Sequence, residues 1–255
     1  MENITNQIHC ADNLLLLPQI PSNSINLIYN DVLFGTARKF KDFQDLELDY
    51  KAIENHYLPR FNEMKRVLTD NGTIYIHADE KISHWLRIIL DDIFCIDNFR
   101  NEIIWAYNSA PRKKGCLGKR HDKILRYTKS DNFTFNAIRE PYSSTAPRGY
   151  DKEKYYHKEG KVIGDVWTIL ILGQNDKTER VGYSTQKPKK LIERIVKLSS
   201  NAGDIVADFY AGSGTTLVCA KELKRNYIGC DINPNAVHIS ETRLKAIQLK
   251  ENLVL

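Results

Sequence analysis

A strand, a glycine-rich turn and a helix start near the C-terminus carry the residues best suited to ligand chemistry. An apolar run at 205–207 leads into Asp208, and a Gly-Ser-Gly-Thr-Thr sequence follows at 212–216. Glycine lets the backbone approach a ligand closely, and the first turn of a helix offers free N–H groups. A second short strand ends at Asp231, where nucleoside-binding α/β units place an acid that binds ribose hydroxyls. Together, the two strand-end acids, the glycine-rich turn and the helix start predict a nucleoside ligand. A lone Gly-x-Gly is equally typical of a βαβ turn that binds no ligand.

Two further strands also end in acids, at Asp12 and Asp31. Strands alternate with helices along the chain, which predicts an α/β, Rossmann-like, mostly parallel and doubly wound sheet with helices on both faces. Ligands of such sheets bind beyond the carboxyl ends of the strands. We therefore expect Asp12, Asp31, Asp208 and Asp231 to converge on one rim. A nucleoside with an ammonium group and hydroxyls would supply the donors that four carboxylates need there.

The remaining elements follow from hydrophobic periodicity and turn residues. A turn at 70–72 is expected to end the first long helix, and a composition rich in Tyr, Lys, Arg, Pro and Gly marks 137–183 as a loop-rich insertion outside the sheet. The chain thus divides into 1–136, 137–183 and 184–255. The longer helices are expected at 57–68, 83–94, 188–200 and 234–250, and the other strands at 73–79, 103–107, 123–128 and 132–136.

Composition bounds the protein class. With 255 residues, the chain is long enough for one large domain with an insertion, and its net charge of +5 fits a polyanionic partner or an ordinary solvated surface. Five scattered cysteines and the spacing of His77, His84 and His121 predict neither disulfides nor a metal site. The N-terminus lacks the pattern of a signal peptide, and no apolar run is long enough to cross a bilayer, so a cytoplasmic protein is expected.

Several motifs in this order resemble one enzyme family. The segments that carry the likeness are 185–188, 203–206, 208–216 and 228–231, together with 66–77 and 121–127. On these segments the chain resembles the beta class of S-adenosylmethionine-dependent DNA amino-methyltransferases, of the adenine-N6 type. The resemblance implies that 1–136 is the catalytic half, 137–183 the target-recognition insertion and 184–255 the cofactor-binding half of one domain.

The resemblance also implies a binding site for S-adenosylmethionine. In it Asp208 faces the ammonium group, Asp231 holds the ribose, and Asp12 faces the adenine amino group while Phe209 packs nearby. Thr185 and Lys187 close the methionine end, although Lys-Pro is also typical of a loop-to-helix junction. The implied cofactor residues are Asp12, Thr185, Lys187, Pro188, Asp208, Phe209, Gly212, Gly214, Thr215 and Asp231.

The catalytic segment departs from the family pattern. The family carries Asp-Pro-Pro followed by Tyr or Phe, whereas this chain has Asp31, Val32, Leu33 and Phe34. Asp31 and the Val32 carbonyl would accept the hydrogens of an exocyclic amine, and Phe34 would stack on a base rotated out of the duplex. Because proline fixes φ, its loss loosens the turn that aims these acceptors. Both a competent enzyme and a catalytically inactive, cofactor- and DNA-binding homologue remain open. An acid at the first position favours adenine N6 over cytosine N4.

A basic segment predicts contact with double-stranded DNA. Its cations can neutralise phosphates but read no sequence, and the aromatic and basic insertion suits target recognition as well as a flexible solvated loop. The expected DNA-binding residues are Arg112, Lys113, Lys114, Lys119 and Arg120. Trp105 or Tyr107 would form a second face of the base pocket or lie in the core. The resemblance also implies a cognate restriction endonuclease as a partner. Methylation of RNA or of a small molecule is a further alternative for the substrate. Both a monomer and a homodimer are compatible with the sequence.

Overall fold

Strands and helices alternate as expected in the computed structural model, which describes residues 1, 4–35, 45–107, 114–142, 157–173, 176 and 178–252. The strands are β1 (Gln7–Cys10), β2 (Ile25–Asp31), β3 (Leu68–Ala78), β4 (Phe99–Ala106), β5 (His121–Thr128), β6 (Arg139–Glu140), β7 (Lys161–Val162), β8 (Val166–Thr168), β9 (Ile205–Asp208) and β10 (Asn226–Asp231). The α-helices are α1 (Asn13–Leu16), α2 (Tyr50–Val67), α3 (Glu80–Phe94), α4 (Lys189–Ser199), α5 (Thr215–Glu222) and α6 (Pro234–Asn252).

Within the described ranges, eight strands form one sheet in the order β1-β10-β9-β2-β3-β5-β4-β8. Every neighbouring pair is parallel except those made by β5, which runs antiparallel to both β3 and β4. The two halves of the chain meet where β2 pairs with β9, with Leu27 opposite Val206. The predicted mostly parallel α/β sheet is therefore confirmed, and its carboxyl edge collects residues from both ends of the chain.

Two hydrophobic cores cover the two faces of this sheet. One face packs against α2 and α3, with Tyr57, Phe61 and Leu86 fully buried. The other packs against α4 and α5, with Ile195 and Leu217 fully buried. Helices on both faces explain why the central strands are apolar runs without alternation. Among the described helices, none has the length and apolarity that crossing a bilayer requires.

Three expectations about the elements were wrong in detail. The helix α2 ends at Val67, and Leu68 turns directly into β3 with φ −61° and ψ 138°, so the turn at 70–72 is not its end. Residues 132–136 form no strand; Asn136 instead donates its backbone N–H to the Leu198 carbonyl at 2.8 Å. The insertion also supplies an edge strand of the main sheet, because β8 pairs with β4 and buries Trp167 against it.

Candidate active site

Carboxylates converge at the carboxyl edge of the sheet. Asp12 follows β1, while Asp31, Asp208 and Asp231 are the last residues of β2, β9 and β10. All four line one cavity of about 660 Å³. The expected convergence on a single rim is thus observed, and it follows from the parallel direction of these four strands.

Two of these acids hold the glycine-rich turn in shape. The Asp231 carboxylate accepts the backbone N–H of Gly212 at 2.8 Å and that of Asn233 at 2.8 Å. The Asp208 carboxylate accepts the Tyr210 N–H at 3.0 Å and the Thr216 hydroxyl at 2.6 Å. The turn is therefore fixed by charge-assisted hydrogen bonds before any ligand arrives.

The electrostatics of this corner favour a cationic ligand. Burial raises the pKa of Asp208 to about 7, and the nearby charges of Asp31 and Asp231 act in the same direction. Burial also raises the pKa of Asp231. A ligand that brings a positive charge and hydroxyl donors would relieve both effects. These hydrogen-bond acceptors therefore fit the ammonium and ribose hydroxyls of S-adenosylmethionine, with Asp208 and Asp231 as the residues that would hold them.

Gly214 has a packing role at the start of α5. Its φ is +74°, and a Cβ at this position would lie 2.7 Å from Cβ of Ser240 on α6. Gly214→Ala is expected to lower the free energy of unfolding by about 3 kcal/mol, because left-handed strain and the clash add together. Chemical denaturation would measure the loss.

Gly203→Ala is the matched control for this substitution. Gly203 also has a positive φ, +88°, but a Cβ there would meet no atom within 4 Å among the described residues. Its loss should be about 1 kcal/mol, from backbone strain alone. Equal losses at the two glycines would contradict the packing role of Gly214.

Arg60 and His56 of α2 also line the cavity, and the sequence analysis missed both. The Arg60 guanidinium donates to both oxygens of Asp12 at 2.9 Å, so Asp12 is an arginine partner as well as the N-cap of α1. The His56 Nε2 lies 3.1 Å from the Tyr210 hydroxyl, and burial, followed by the Arg60 charge, lowers the pKa of His56 to about 4. The sequence did contain a signal for Arg60, because this charged residue lies on the same helix face as the apolar residues Tyr57 and Phe61, where an arginine needs a buried partner.

Some implied cofactor residues have mainly structural surroundings. Phe209 lines the cavity but is almost fully buried in the core, whereas Tyr210, which also lines the cavity, is partly exposed. Pro188 is the N-cap of α4 and, like Gly214, lies outside the cavity lining. Thr185, Lys187, Gly212 and Thr215 all line the cavity. The sequence could not separate residues that shape the site from residues that face it.

The segment 31–34, in which Val32 and Leu33 replace the two prolines of the family, is held in place by hydrogen bonds. Val32 is buried in the core, and its backbone N–H donates to the His77 carbonyl at 3.2 Å. The Leu33 carbonyl accepts the Tyr57 hydroxyl at 2.9 Å, and Gly35 N–H donates to Asp45 at 3.0 Å. These contacts constrain the turn that the missing prolines were expected to stiffen.

Lys187 lies over this segment. Its ammonium group is paired with Oδ2 of Asp31 and lies 5.6 Å from the centroid of the Phe34 ring. The other oxygen of Asp31, Oδ1, is buried and has no hydrogen-bond partner among the described residues. One oxygen of Asp31 is thus oriented by a cation, and the other is left for a donor.

Val32→Pro is expected to weaken the protein rather than improve it. Proline removes the N–H that bonds the His77 carbonyl and replaces a buried valine, at a cost of about 1–3 kcal/mol. Thermal unfolding would detect the loss. Leu33→Pro is the control, because it keeps the carbonyl that accepts from Tyr57, and a smaller loss is expected. Greater stability in Val32→Pro would contradict this assignment.

Comparison with known proteins identifies the family. The model of a family described as DNA methylase matches residues 25–242 of this chain. The chain belongs to this family. Two relatives of the DNA methylase are the Type II methyltransferase M.HpaI of Haemophilus parainfluenzae and the DNA adenine methyltransferase YhdJ of Escherichia coli. The first is 33% identical over 92% of this chain and 73% of its own, and the second is 31% identical over 92% and 81%.

Two solved structures share the fold of the DNA methylase. The M1.HpyAVI–SAM complex has a TM-score of 0.63 at 20% identity and covers 93% of this chain and 98% of its own. The cytosine-N4-specific PvuII DNA methyltransferase has a TM-score of 0.70 at 16% identity and covers 92% and 85%. With the family match, the predictions of an S-adenosylmethionine-dependent DNA amino-methyltransferase and of its Rossmann-like fold are confirmed.

The basic segment of the DNA methylase is only partly described. Arg112 and Lys113 lie outside the described residues, and Lys114 and Arg120 are exposed. Lys119 is paired with Asp79, with Glu80 at 2.8 Å and with Asp122 at 3.4 Å. Its charge is matched within the protein, so the structure does not favour Lys119 as a phosphate contact.

The structure also describes the two aromatic residues, Trp105 and Tyr107, that were expected in the base pocket or in the core. Trp105 is buried and donates its indole N–H to the Ile169 carbonyl at 2.7 Å, which makes it a core residue. Tyr107 is only partly buried, and its hydroxyl donates to Asp122 at 3.1 Å.

Proposed function

We propose that this DNA methylase transfers a methyl group from S-adenosylmethionine to the N6 amine of an adenine rotated out of double-stranded DNA. The observation that carries the proposal is Asp31 on the cavity that the glycine-rich turn also lines, with an oxygen, Oδ1, that has no hydrogen-bond partner in the described part of the chain. A carboxylate oxygen accepts hydrogen bonds, and an exocyclic amine offers two hydrogens. The likeness to YhdJ, a DNA adenine methyltransferase, supports adenine as the base.

Residues of the segment 31–34 and Lys187 have different roles in the proposed reaction. S-adenosylmethionine, when bound, supplies an electrophilic methyl group on its sulfonium. Asp31 accepts one amine hydrogen and the Val32 carbonyl the other, so the amine lone pair is aimed out of the base plane. Lys187 pairs with the Asp31 carboxylate and orients it. Phe34, partly exposed beside it, stacks on the rotated base.

Transfer of a labelled methyl group to duplex DNA of mixed sequence tests the proposal. The DNA is digested to nucleosides, and N6-methyladenine is the expected product. N4-methylcytosine instead would overturn the choice of base. Equal labelling of RNA or of free nucleosides would overturn the choice of duplex DNA. Cofactor binding in calorimetry without any labelled product would favour the inactive, DNA-binding alternative.

A restriction–modification setting is the further part of this proposal. M.HpaI bears the name of a Type II methyltransferase, and the chain covers most of its length. We therefore propose a cognate endonuclease as a functional partner in the cytoplasm. Methylated DNA should resist that endonuclease and unmethylated DNA should not; cleavage of both would contradict the pairing.

A further inference from the structure

A row of polar side chains crosses the sheet behind the catalytic carboxylate. Asp31 of β2 lies opposite His77 of β3, and His77 lies opposite Ile124 of β5. Residues opposite one another share a face of the sheet, as do alternate residues along a strand. Asp31, His77 and Asp122 therefore lie side by side on one face, in that order.

His77 lies at the centre of this row with no exposed surface. Its Nδ1 lies 2.8 Å from the Tyr29 hydroxyl and 3.8 Å from Oδ1 of Asp31. Its Nε2 lies 3.5 Å from Oδ2 of Asp122 and has no hydrogen-bond partner within the described part of the chain. The histidine spacing predicted only that His77 belongs to no metal site; the structure buries its imidazole between two carboxylates.

The neighbours of His77 define which nitrogen carries the proton. Asp122 accepts a hydrogen bond from the Tyr107 hydroxyl at 3.1 Å and lies 3.4 Å from the Lys119 ammonium. It is therefore held as a carboxylate, which can only accept hydrogen bonds. The ring nitrogen that faces it, Nε2, therefore carries the proton. Nδ1 is then an acceptor, and the Tyr29 hydroxyl donates to it. Burial raises the pKa of Tyr29, which keeps this hydroxyl a donor.

We propose that His77, oriented by Asp122, receives from Asp31 the proton that the target amine loses on methylation. The inference rests on the proposed function. The amine nitrogen forms its bond to the methyl carbon as the carbon–sulfur bond breaks, and that electron pair stays on sulfur. The amine proton passes to Oδ1 of Asp31 and from there to Nδ1 of His77, which regenerates the Asp31 carboxylate.

The distances and charges suit this transfer. Asp31 and His77 must approach by about 1 Å to reach hydrogen-bond distance, and the Tyr29 hydroxyl must turn to accept from Nδ1–H. The resulting imidazolium lies between the carboxylates of Asp31 and Asp122. The charged and titratable groups around the ring are Tyr29 and Asp31 on β2 and Asp122 on β5, with Lys187 and Lys119 beyond them. Because His77 acts through Asp31 and does not touch the base, it is a positioning residue.

Nitrogen-15 NMR of histidine-labelled protein tests the arrangement without any activity. The wild type should show His77 protonated on Nε2 and unprotonated on Nδ1. In Asp122→Asn, which keeps the shape but removes the charge, the Nδ1-protonated form should gain population. A proton on Nδ1 in the wild type, or identical spectra in the two proteins, would overturn the inference.

Single-turnover kinetics test the proton transfer itself. Asp122→Asn should lower the rate of methyl transfer by about tenfold or more, with unchanged cofactor affinity. The pH profile of the rate should also differ from that of the wild type, because the variant removes the Asp122 charge beside His77. Asp70→Asn, which makes the same substitution at a carboxylate that is 82% exposed, should leave the rate unchanged.

The outcomes of these kinetics are distinguishable. Absence of methyl transfer by the wild type would reject the proposed function. Transfer by the wild type with the same rate and pH profile in Asp122→Asn would reject the role of His77 alone. Should Asp122→Asn fail to fold, Tyr29→Phe replaces it, with the same expected fall in rate, because the hydroxyl that must accept from Nδ1–H is lost.

Discussion

Replacing Asp31 by asparagine is expected to lower the rate of methyl transfer by about 10²–10³-fold, the loss typical of removing one preorganised electrostatic contact. The amide keeps the shape of the carboxylate but has no charge, so the ion pair with the Lys187 ammonium, which faces Oδ2, is lost. It also cannot accept the amine proton. Single-turnover transfer of a labelled methyl group would measure the effect.

Cofactor affinity separates a chemical defect from a binding defect in this variant. Asp31 is not among the implied cofactor residues, so calorimetry should give a dissociation constant within about threefold of the wild type. Asp70→Asn, at a carboxylate that is 82% exposed, is the matched control and should leave both quantities unchanged. A wild-type rate in Asp31→Asn would remove Asp31 from the reaction.

Asp208→Asn is expected to make the protein more stable and a weaker cofactor binder. Burial raises the pKa of Asp208 to about 7, so at pH 8 the folded protein contains a carboxylate in an unfavourable site. An amide there should add about 1–3 kcal/mol to the free energy of unfolding. The amide oxygen can accept the Tyr210 N–H, and the amide NH2 can donate to the Thr216 hydroxyl oxygen in place of the bond that Asp208 accepts. The lost charge should reduce affinity for S-adenosylmethionine by about 10–100-fold.

The pH dependence gives the sign of this effect. The native Asp208 binds a proton more tightly than the unfolded one, so its contribution to the free energy of unfolding falls as pH rises from about 4 to about 7. The difference in the free energy of unfolding between Asp208→Asn and wild type should therefore be smaller at pH 5 than at pH 8. Denaturation curves at both pH values would measure it, with Asp70→Asn as control. A difference that is the same at pH 5 and pH 8 would contradict the shifted pKa.

The fold and the cavity rim could be predicted because their signals are local. Each of the four acids, from Asp12 to Asp231, lies at or just after the end of a short strand pattern. The direction of parallel strands then brings these ends together without further information. The glycine-rich turn is equally local, since its positive φ angles at Gly212 and Gly214 require the residue that the sequence places there.

Contacts between distant segments could not be predicted in this way. Arg60 is recognised as a cavity residue only when α2 is placed against Asp12, 48 positions earlier. The pairing of Lys119 with Asp79 depends on how β3 and β5 align, and the sequence showed only a basic run. The strand β8 is three residues long, and its hydrophobic pattern is too short to identify. In each case a tertiary partner, absent from the local sequence, decided the role.

The reversed direction of β5 affects how this protein can change over evolution. Since β4 and β5 are antiparallel and Ala106 pairs with His121, the connection between them leaves and re-enters the sheet at the same edge as Asp31. Insertions or deletions in that connection would leave the register of β4 and β5, and hence of Asp31 and His77, unchanged. If β5 were parallel to β4, the chain would need a crossover connection across a face of the sheet, and insertions or deletions in it would affect the packing on that face.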